Sequence, residues 1–235
     1  MYKILFDDKE LILSIEEIIK VIKQNPKSIF YKFIDGNKIR INNKLVLECQ
    51  FICHRINTIN ELNTIDPIFG VEIDLRDRDN EIILSHDPFI NGEMFTNYIQ
   101  YYNKSTLILN IKSERIEYKC MEILKKYNIT NYFFLDSSIP IIYLLGQQYN
   151  FASRYSEFEP IELSNNLNNY INYIWIDCFT KLPNLKINFC KKVCIVSPEL
   201  QKRPEDITNY RTFFIDNNFS PDAICCKSYN IINWI

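Results

Sequence analysis

Short apolar segments alternate with amphipathic ones along most of this chain, and that alternation restricts the possible folds more than any other feature. Helix-like segments separate most of the apolar ones, the weakest of them over residues 181–191. Strands that alternate with helices favour a parallel sheet, and eight such strands favour a closed (β/α)8 barrel. The predicted strands cover residues 49–54, 70–76, 107–112, 132–137, 151–156, 173–178, 192–197 and 223–227.

The predicted fold is therefore α/β: a compact, parallel (β/α)8 TIM-type barrel over residues 48–235, with a small N-terminal α/β extension over residues 1–47. An open, doubly wound sheet is the alternative, but the chain has neither a G-x-G-x-x-G motif nor a Walker-type loop. In the extension we predict a capped helix over residues 11–24 and a hairpin over residues 29–47. Nothing catalytic stands out there.

Composition narrows the class of partner. The net charge is −2 and no dense run of Lys or Arg occurs, which argues against a nucleic-acid partner. No apolar run approaches the roughly 20 residues of a membrane helix, and the acidic start does not resemble a signal peptide. The eight cysteines include no C-x-x-C pair, so we expect buried, reduced thiols in a cytoplasmic protein. The oligomeric state cannot be predicted.

Residues 70–89 are the segment with the most unusual polarity. Glu72 and Asp74 lie two residues apart in a predicted strand, so their carboxylates share one face and converge. Two carboxylates that close repel each other unless a cation or a hydrogen-bond donor lies between them. A turn at Asp79 and Asn80 follows, and then a second apolar run that leads to His86. A solvent-facing strand and turn is the alternative interpretation.

The chain has only two histidines, and both lie at the ends of predicted strands. His54 follows the first strand, and His86 follows the run after the Glu72-x-Asp74 pair. A lone histidine is more often structural than catalytic. Two histidines that bracket a carboxylate pair favour acid–base chemistry, since an imidazole titrates near neutral pH.

Other polar residues also lie at the predicted carboxyl ends of strands, where catalytic groups of a barrel belong. Asn110 and Lys112 are two residues apart on the third strand, so they share a face. The fifth strand contains Arg154 and leads to Glu157, and a rim ion pair is an equally good interpretation of those two. Asp177, on the sixth strand, is favoured as a structural hydrogen-bonding residue.

Taken together, four short motifs resemble those of the glycerophosphodiester phosphodiesterases, a family of phospholipase C-like phosphodiesterase barrels. The motifs are His54-Arg55, Glu72-x-Asp74, His86-Asp87 and Asn110-x-Lys112. They cover roughly residues 49–113, and beyond them the resemblance depends on the eight strands and on a serine pair at 137–138. It implies a metal-dependent phosphodiester hydrolase that acts on a small, soluble, glycerophosphodiester-like substrate.

The resemblance also implies a role for each motif residue. His54 and His86 form the acid–base pair, and Glu72, Asp74 and Asn110 hold one divalent cation, Mg²⁺ or Ca²⁺. Arg55 and Lys112 bind the phosphate, and Arg154 and Glu157 are further candidate substrate-binding residues.

Two departures from the family pattern stand out. Ile56 follows the His-Arg pair where the family usually has Gly, and Asn110 occupies the position of a metal carboxylate. An amide oxygen can bind such a cation but brings no charge, so we expect weaker affinity.

Two other classes of function stay open. The first is a catalytically weak or inactive relative that binds a phosphorylated ligand, which the missing carboxylate at residue 110 would allow. The second is an interaction protein in which residues 1–47 are the working part. A divalent-dependent assay on a phosphodiester separates the enzyme from both.

Overall fold

The computed structural model describes residues 1–187, 189 and 191–235, which form strands and helices numbered here in chain order. The strands are β1 Tyr2–Phe6, β2 Lys9–Leu13, β3 Phe30–Ile34, β4 Asn37–Arg40, β5 Gln50–Cys53, β6 Gly70–Arg78, β7 Glu81–Leu84, β8 Glu93–Met94, β9 Leu107–Ile111, β10 Tyr132–Leu135, β11 Ala152–Tyr155, β12 Tyr173–Ile176, β13 Lys192–Val196 and β14 Ala223–Cys226. The helices are α1 Ile15–Gln24, α2 Asn43–Glu48, α3 Ile59–Thr64, α4 Phe95–Tyr98, α5 Glu117–Lys126, α6 Ile139–Leu145, α7 Ile161–Asn166, α8 Ile207–Asp216 and α9 Ile231–Trp234.

The first forty residues build a small antiparallel sheet in the order β2-β1-β3-β4. The capping box predicted at Ser14 and Glu17 is present, and each side chain binds the other's backbone N–H. The helix prediction was wrong at its start, because Leu11 to Leu13 belong to β2. That strand pairs with β1 across a turn in which Asp7 and Asp8 adopt the left-handed conformation, a hairpin that the sequence analysis missed.

The second predicted hairpin is shorter than expected. Strands β3 and β4 pair antiparallel around Asp35 and Gly36, but residues 43–48 form α2 instead of continuing the strand. The side chain of Asn42 accepts a hydrogen bond from Leu45 N and so caps this helix. The extension is therefore richer in strands than the sequence indicated.

The large sheet contains all eight strands predicted from the sequence. Its path runs β10-β9-β6-β5-β14-β13-β12-β11, and every pair along it is parallel. Because β14 pairs with β5, the last of the eight strands lies beside the first. A parallel bridge joins Phe134 of β10 to Phe151, the residue before β11. The short strands β7 and β8 extend β6 sideways as an antiparallel hairpin.

Both faces of the eight strands are buried, as alternate residues show. One face packs with the helices in the main hydrophobic core, which includes Val71, Ile73 and Leu75 of β6. The other face forms a separate cluster drawn from seven of the strands, which contains Ile52, Ile108, Phe133, Leu135, Ala152, Trp175, Cys194, Val196, Ala223 and Cys225. By the same alternation, β6 turns Glu72 and Asp74 toward this second face.

The described cysteines are buried and unbonded, as the sequence predicted for reduced thiols. Burial raises the pKa of Cys53 and Cys178 to about 12, so these thiols stay protonated at neutral pH. Cys190, the eighth cysteine, lies outside the described residues. Within the described ranges, no helix is both long enough and apolar enough to cross a membrane.

Candidate active site

Two buried carboxylates form the centre of the candidate site. Glu72 and Asp74 of β6 are 0% and 1% exposed. The strand register places Asp74 opposite Asn110 of β9, so the predicted Glu72-x-Asp74 and Asn110-x-Lys112 motifs lie side by side. Charges this deeply buried need partners, and the neighbouring segments supply them.

The loop from β5 to α3 wraps around both carboxylates. Arg55 has a left-handed backbone, with φ of 57°, and its backbone N–H donates to Glu72 Oε2 at 2.8 Å. Its side-chain Nε lies 3.4 Å from Asp74 Oδ2. The Asn57 side chain donates to Asp74 Oδ2 and accepts from Asp74 N, both at 2.9 Å. Asn57 was not predicted as a site residue, and its only signal in the sequence is its position two residues after Arg55.

Asn110 approaches Glu72 as a hydrogen-bond donor. Its Nδ2 donates to Glu72 Oε1 at 2.8 Å, which leaves its buried Oδ1 without a partner. Asp74 Oδ1 is also buried and makes no hydrogen bond. An amide and a carboxylate oxygen that both lack a hydrogen bond fit a hard divalent cation, which takes oxygen ligands of these two types. Among the described residues, however, no group of three His, Cys, Asp or Glu side chains is placed to hold a metal.

The pKa of Asp74 reflects its burial beside a second carboxylate. Burial raises the pKa of the Asp74 carboxyl, and the neighbouring Glu72 raises it further. Asn57, Lys112 and Arg55 act in the opposite direction and offset part of that rise. The pair is therefore a site where added positive charge is stabilising, as the sequence analysis expected from two converging carboxylates.

A chain of charged side chains continues along the strand ends beyond Asp74. Lys112 Nζ lies 3.7 Å from Asp74 Oδ1 and donates to Asp136 Oδ2 at 3.1 Å. Asp136 also accepts two hydrogen bonds from Arg154, whose Nη1 donates to Asp177 Oδ2 at 2.7 Å. Gln201 donates to the second oxygen of Asp177.

In this row of charged side chains, Arg154 forms ion pairs with two carboxylates. Burial alone would raise the pKa of Asp136, but the hydrogen bonds and charges of Arg154 and Lys112 outweigh it and lower the pKa. For Arg154 burial lowers the pKa, and Asp136 and Asp177 more than offset it. Arg154 forms its ion pairs with Asp136 and Asp177, whereas Glu157 accepts hydrogen bonds from backbone N–H groups. The proposed contact of Arg154 with substrate stays a prediction.

The two histidines occupy different environments. His54 is mostly buried, with Nε2 at 3.8 Å from Glu72 Oε2 and Nδ1 without a partner. Burial, with help from Lys227 and Arg55, lowers the pKa of His54 to about 3. His86 is more exposed, and its Nδ1 lies 2.7 Å from Asp87 Oδ1. That contact lowers the pKa of the Asp87 carboxyl.

Arg76 fixes the segment that carries His86. Its Nε and Nη2 donate to the His86 backbone oxygen at 3.1 and 2.9 Å, and its Nη1 donates to the Lys112 oxygen at 2.9 Å. One guanidinium therefore ties the end of β7 to the end of β9. Arg76 was not predicted as a site residue, because only the fold brings these two carbonyl groups together.

The Glu157 carboxylate binds backbone N–H groups of a neighbouring loop. It accepts hydrogen bonds from Phe179 N at 2.9 Å and from Thr180 N at 2.7 Å. Burial opposes these bonds, but together they lower the pKa of Glu157 to about 2. Glu157 thus links the loops after β11 and β12, and its role in substrate binding stays a prediction.

In the serine pair, Ser137 Oγ is buried without a partner and Ser138 Oγ donates to Glu114.

Comparison with known proteins identifies the fold. No protein-family model matches the chain, and no curated protein matches its sequence. A glycerophosphoryl diester phosphodiesterase from Parabacteroides distasonis superposes over 100% of this chain and 94% of its own, with a TM-score of 0.54 and 13% identity. The chain has the fold of the glycerophosphodiester phosphodiesterases.

Two proteins from Agrobacterium tumefaciens give the same result. A candidate glycerophosphoryl diester phosphodiesterase matches 79% of this chain and 96% of its own, with a TM-score of 0.55 and 10% identity. A glycerophosphodiester phosphodiesterase matches 75% and 96%, with a TM-score of 0.52 and 11% identity. In this fold β6 carries Glu72 and Asp74 within the strand. On the neighbouring strands, Asn110 lies near the carboxyl end of β9, and His54, Arg55 and Lys112 follow directly after β5 and β9.

Proposed function

We propose that this protein is a metal-dependent phosphodiester hydrolase of the glycerophosphodiester phosphodiesterase family, acting on a small, soluble, glycerophosphodiester-like substrate. The observation that carries the proposal is the juxtaposition of the motifs in that fold. Arg55 and Lys112 flank a buried Glu72–Asp74 pair from the two neighbouring strands. A phosphodiester is an anion, so hydrolysis needs positive charge at the phosphate and groups that move protons.

The proposed architecture is a closed (β/α)8 barrel with its site at the carboxyl ends of the strands. Three observations support closure: the pairing of β14 with β5, the bridge between Phe134 and Phe151, and the separate cluster of alternate residues from seven strands. A barrel interior filled by alternate side chains is typical of this fold. The division between residues 1–47 and 48–235 stays a prediction.

Asp74 and Asn110 would hold a Mg²⁺ or Ca²⁺ ion through the side-chain oxygens that make no hydrogen bond, with Glu72 beside them. Such an ion, when bound, would neutralise charge on a phosphoryl oxygen. The chain's own residues do the rest. Arg55 and Lys112 would orient the phosphate, and the loop that contains Asn57 would keep the carboxylates in place.

We assign the two proton transfers to different histidines on the basis of their surroundings. Burial keeps His54 unprotonated, and it would accept the proton of the attacking oxygen once a bound phosphate anion raises its pKa. His86, which is more exposed and lies beside Asp87, would donate a proton to the leaving oxygen. Whether the two imidazoles face each other across one phosphate stays a prediction.

A hydrolysis assay tests this proposal directly. Purified protein is incubated with a soluble glycerophosphodiester and with bis(p-nitrophenyl) phosphate, in Mg²⁺, in Ca²⁺ and in excess chelator. We expect hydrolysis that depends on the divalent ion and is lost with chelator. Hydrolysis that persists in chelator would refute the metal, and no hydrolysis in any condition would refute the enzyme.

A ligand-binding relative without activity is the second candidate, because the cations at the site are already partly neutralised. Lys112 contacts Asp136, and Arg154 contacts Asp136 and Asp177. This candidate predicts that a phosphodiester binds but is not hydrolysed. Cytoplasmic localisation and the absence of a nucleic-acid partner stay predictions.

A further inference from the structure

A second cavity, separate from the candidate active site, lies between the N-terminal sheet and α8. Its volume is about 850 Å³, within the range of small-molecule sites. Strands β3 and β4, the segment that leads into α2, and helices α8 and α9 contribute to its walls. None of the residues assigned above to catalysis or metal binding lines it.

The wall of this cavity is strongly basic. Its cationic residues are Lys27, Lys32, Arg40, Lys44 and Arg211, and none of the described residues that line it is Asp or Glu. The ion pairs found in the described part of the chain include none of these five, although twelve such pairs occur elsewhere. The whole chain carries a net charge of −2, so the cavity is a local exception. A wall of this kind attracts an anion.

Lys32 is the buried member of the group. Its side chain extends from β3 and the residue is only 1% exposed. Its Nζ lies 2.5 Å from the Ile232 oxygen and 3.4 Å from the Asn233 oxygen. Two carbonyl groups in the last turn of α9 thus occupy two of its three donors, but neither carries a full negative charge. Burial, and then Arg211, lower the pKa of Lys32 to about 7.

Arg211 is a second cation of the wall whose hydrogen-bond donors are not all satisfied. From α8 its Nη2 donates to the Arg40 oxygen at 2.5 Å, while its Nε is buried and has no partner. Leaving a buried charged donor unsatisfied is costly. A purely structural role, in which Lys32 holds α9 in place, would explain the burial of Lys32 alone. It would explain neither the open donor of Arg211 nor the other cations around it.

The remaining wall indicates the kind of anion. Ile34, Ile39, Ile41 and Ile215 supply apolar surface beside the cations. Two neighbouring cations suit a dianion, and a phosphate monoester carries about −1.5 to −2 charges at pH 7. The combination of an ammonium point charge and a guanidinium fork suits the several oxygens of a phosphate group. We propose that this cavity binds an organic phosphate monoester, with the phosphate at Lys32 and Arg211 and the organic part against the isoleucines.

The test uses inorganic phosphate and phenyl phosphate as probes on the full chain. A crystal structure with phenyl phosphate should contain the phosphate within hydrogen-bond distance of Arg211. By calorimetry, phenyl phosphate should bind more tightly than inorganic phosphate. Arg211→Gln should weaken binding about tenfold or more, and Lys27→Gln, at the surface, should weaken it less. Lys38→Gln is the matched control, because Lys38 lies on β4 but does not line the cavity.

Binding at the candidate active site is distinguished by Lys112→Met. If Lys112→Met abolishes phosphate binding and Arg211→Gln leaves it unchanged, the phosphate binds at the active site and the proposal is wrong. If Arg211→Gln and Lys38→Gln weaken phosphate binding equally, the loss reflects only the change in net charge, and the proposal is wrong. The outcome is independent of hydrolysis, since neither probe is a phosphodiester.

Discussion

At the scale of single residues, Asn110 decides how the centre of the candidate site is neutralised. As an amide it donates to Glu72, and so replaces a repulsive carboxylate contact with a hydrogen bond. A carboxylate in its place would have no proton to donate. Residue 110 thus links two properties that can be measured separately, stability without metal and affinity for metal.

We expect Asn110→Asp to destabilise the metal-free protein and to tighten divalent binding. The change removes the 2.8 Å hydrogen bond to Glu72 and adds a third carboxylate beside two buried ones. The loss should be about 1–3 kcal/mol in chelator, and added Mg²⁺ or Ca²⁺ should recover most of it. Thermal unfolding with and without each ion measures both effects, and Asn110→Ala is the control that loses the bond without adding charge. Metal affinity equal to wild type would mean that residue 110 does not contact the ion.

The histidines provide the second prediction at this scale. Replacing either His54 or His86 with Ala should lower kcat by about 10²-fold or more, since each is proposed to move a proton. Stability should change much less than activity for His86, which is more exposed. Steady-state kinetics together with unfolding curves separate the two effects. If the His86→Ala protein keeps wild-type kcat, the proposed acid must be another group.

At the scale of elements, the loop between β5 and α3 is the part that holds the carboxylates. Arg55 N, Ile56 N and Asn57 all donate to Glu72 or Asp74, and Tyr98 fixes the loop through the Ile56 oxygen. The left-handed backbone at Arg55 turns its N–H toward Glu72. The loop therefore works as one unit rather than as separate side chains.

Asn57→Ala tests that unit. The change leaves the buried Asp74 N and Oδ2 without their Asn57 partners, so we expect a loss of about 1–3 kcal/mol in unfolding free energy. A further rise in the pKa of Asp74 should follow, because the Asn57 hydrogen bond lowers it. Asn60→Ala, in the exposed part of α3, is the control. Urea unfolding that does not distinguish the two variants would show that Asn57 does not support Asp74.

The elements also show which features a sequence can predict. The eight parallel strands of the large sheet were predicted because each is a short apolar run whose signal is local. The β1–β2 hairpin was missed because an apolar strand such as Leu11 to Leu13, followed directly by α1, looks like the start of that helix. Asn57 and Arg76 were missed for another reason. Their partners lie in distant segments of the sequence, so only the fold makes them part of the site.

At the scale of the whole molecule, the site lies where β5 and β14, the first and last of the eight parallel strands along the chain, pair with each other. The His54 backbone N–H donates to the Cys226 oxygen, so His54 lies where the last strand of the large sheet meets the first. Its side chain is held neutral by burial, with a pKa of about 3 against an ordinary value of 6.5. Folding therefore favours the unprotonated form, and the stability of the whole chain is linked to pH through this one residue.

The sign of that linkage gives the last prediction. Between pH 6.5 and about 3 the unfolded chain binds a proton at His54 that the folded chain does not, so acid favours unfolding. The contribution is fully present above pH 6.5 and is lost at about 1.4 kcal/mol per pH unit as the pH falls toward 3. Asp136 and Glu157, with lowered pKa values, add acid sensitivity, and Asp74, with a raised one, opposes it.

A variant that cannot titrate isolates the His54 contribution from these carboxylates. Urea unfolding of wild type and His54→Gln should be compared at several pH values between 4 and 8. The difference in unfolding free energy should be constant above pH 6.5. Below it, wild type should lose about 1.4 kcal/mol of stability relative to the variant for each pH unit. Both proteins keep Asp74, Asp136 and Glu157, so these groups largely cancel in the difference. Parallel pH profiles would mean that His54 titrates alike in the folded and unfolded chains, and the proposal that it acts as a neutral base would lose its electrostatic basis.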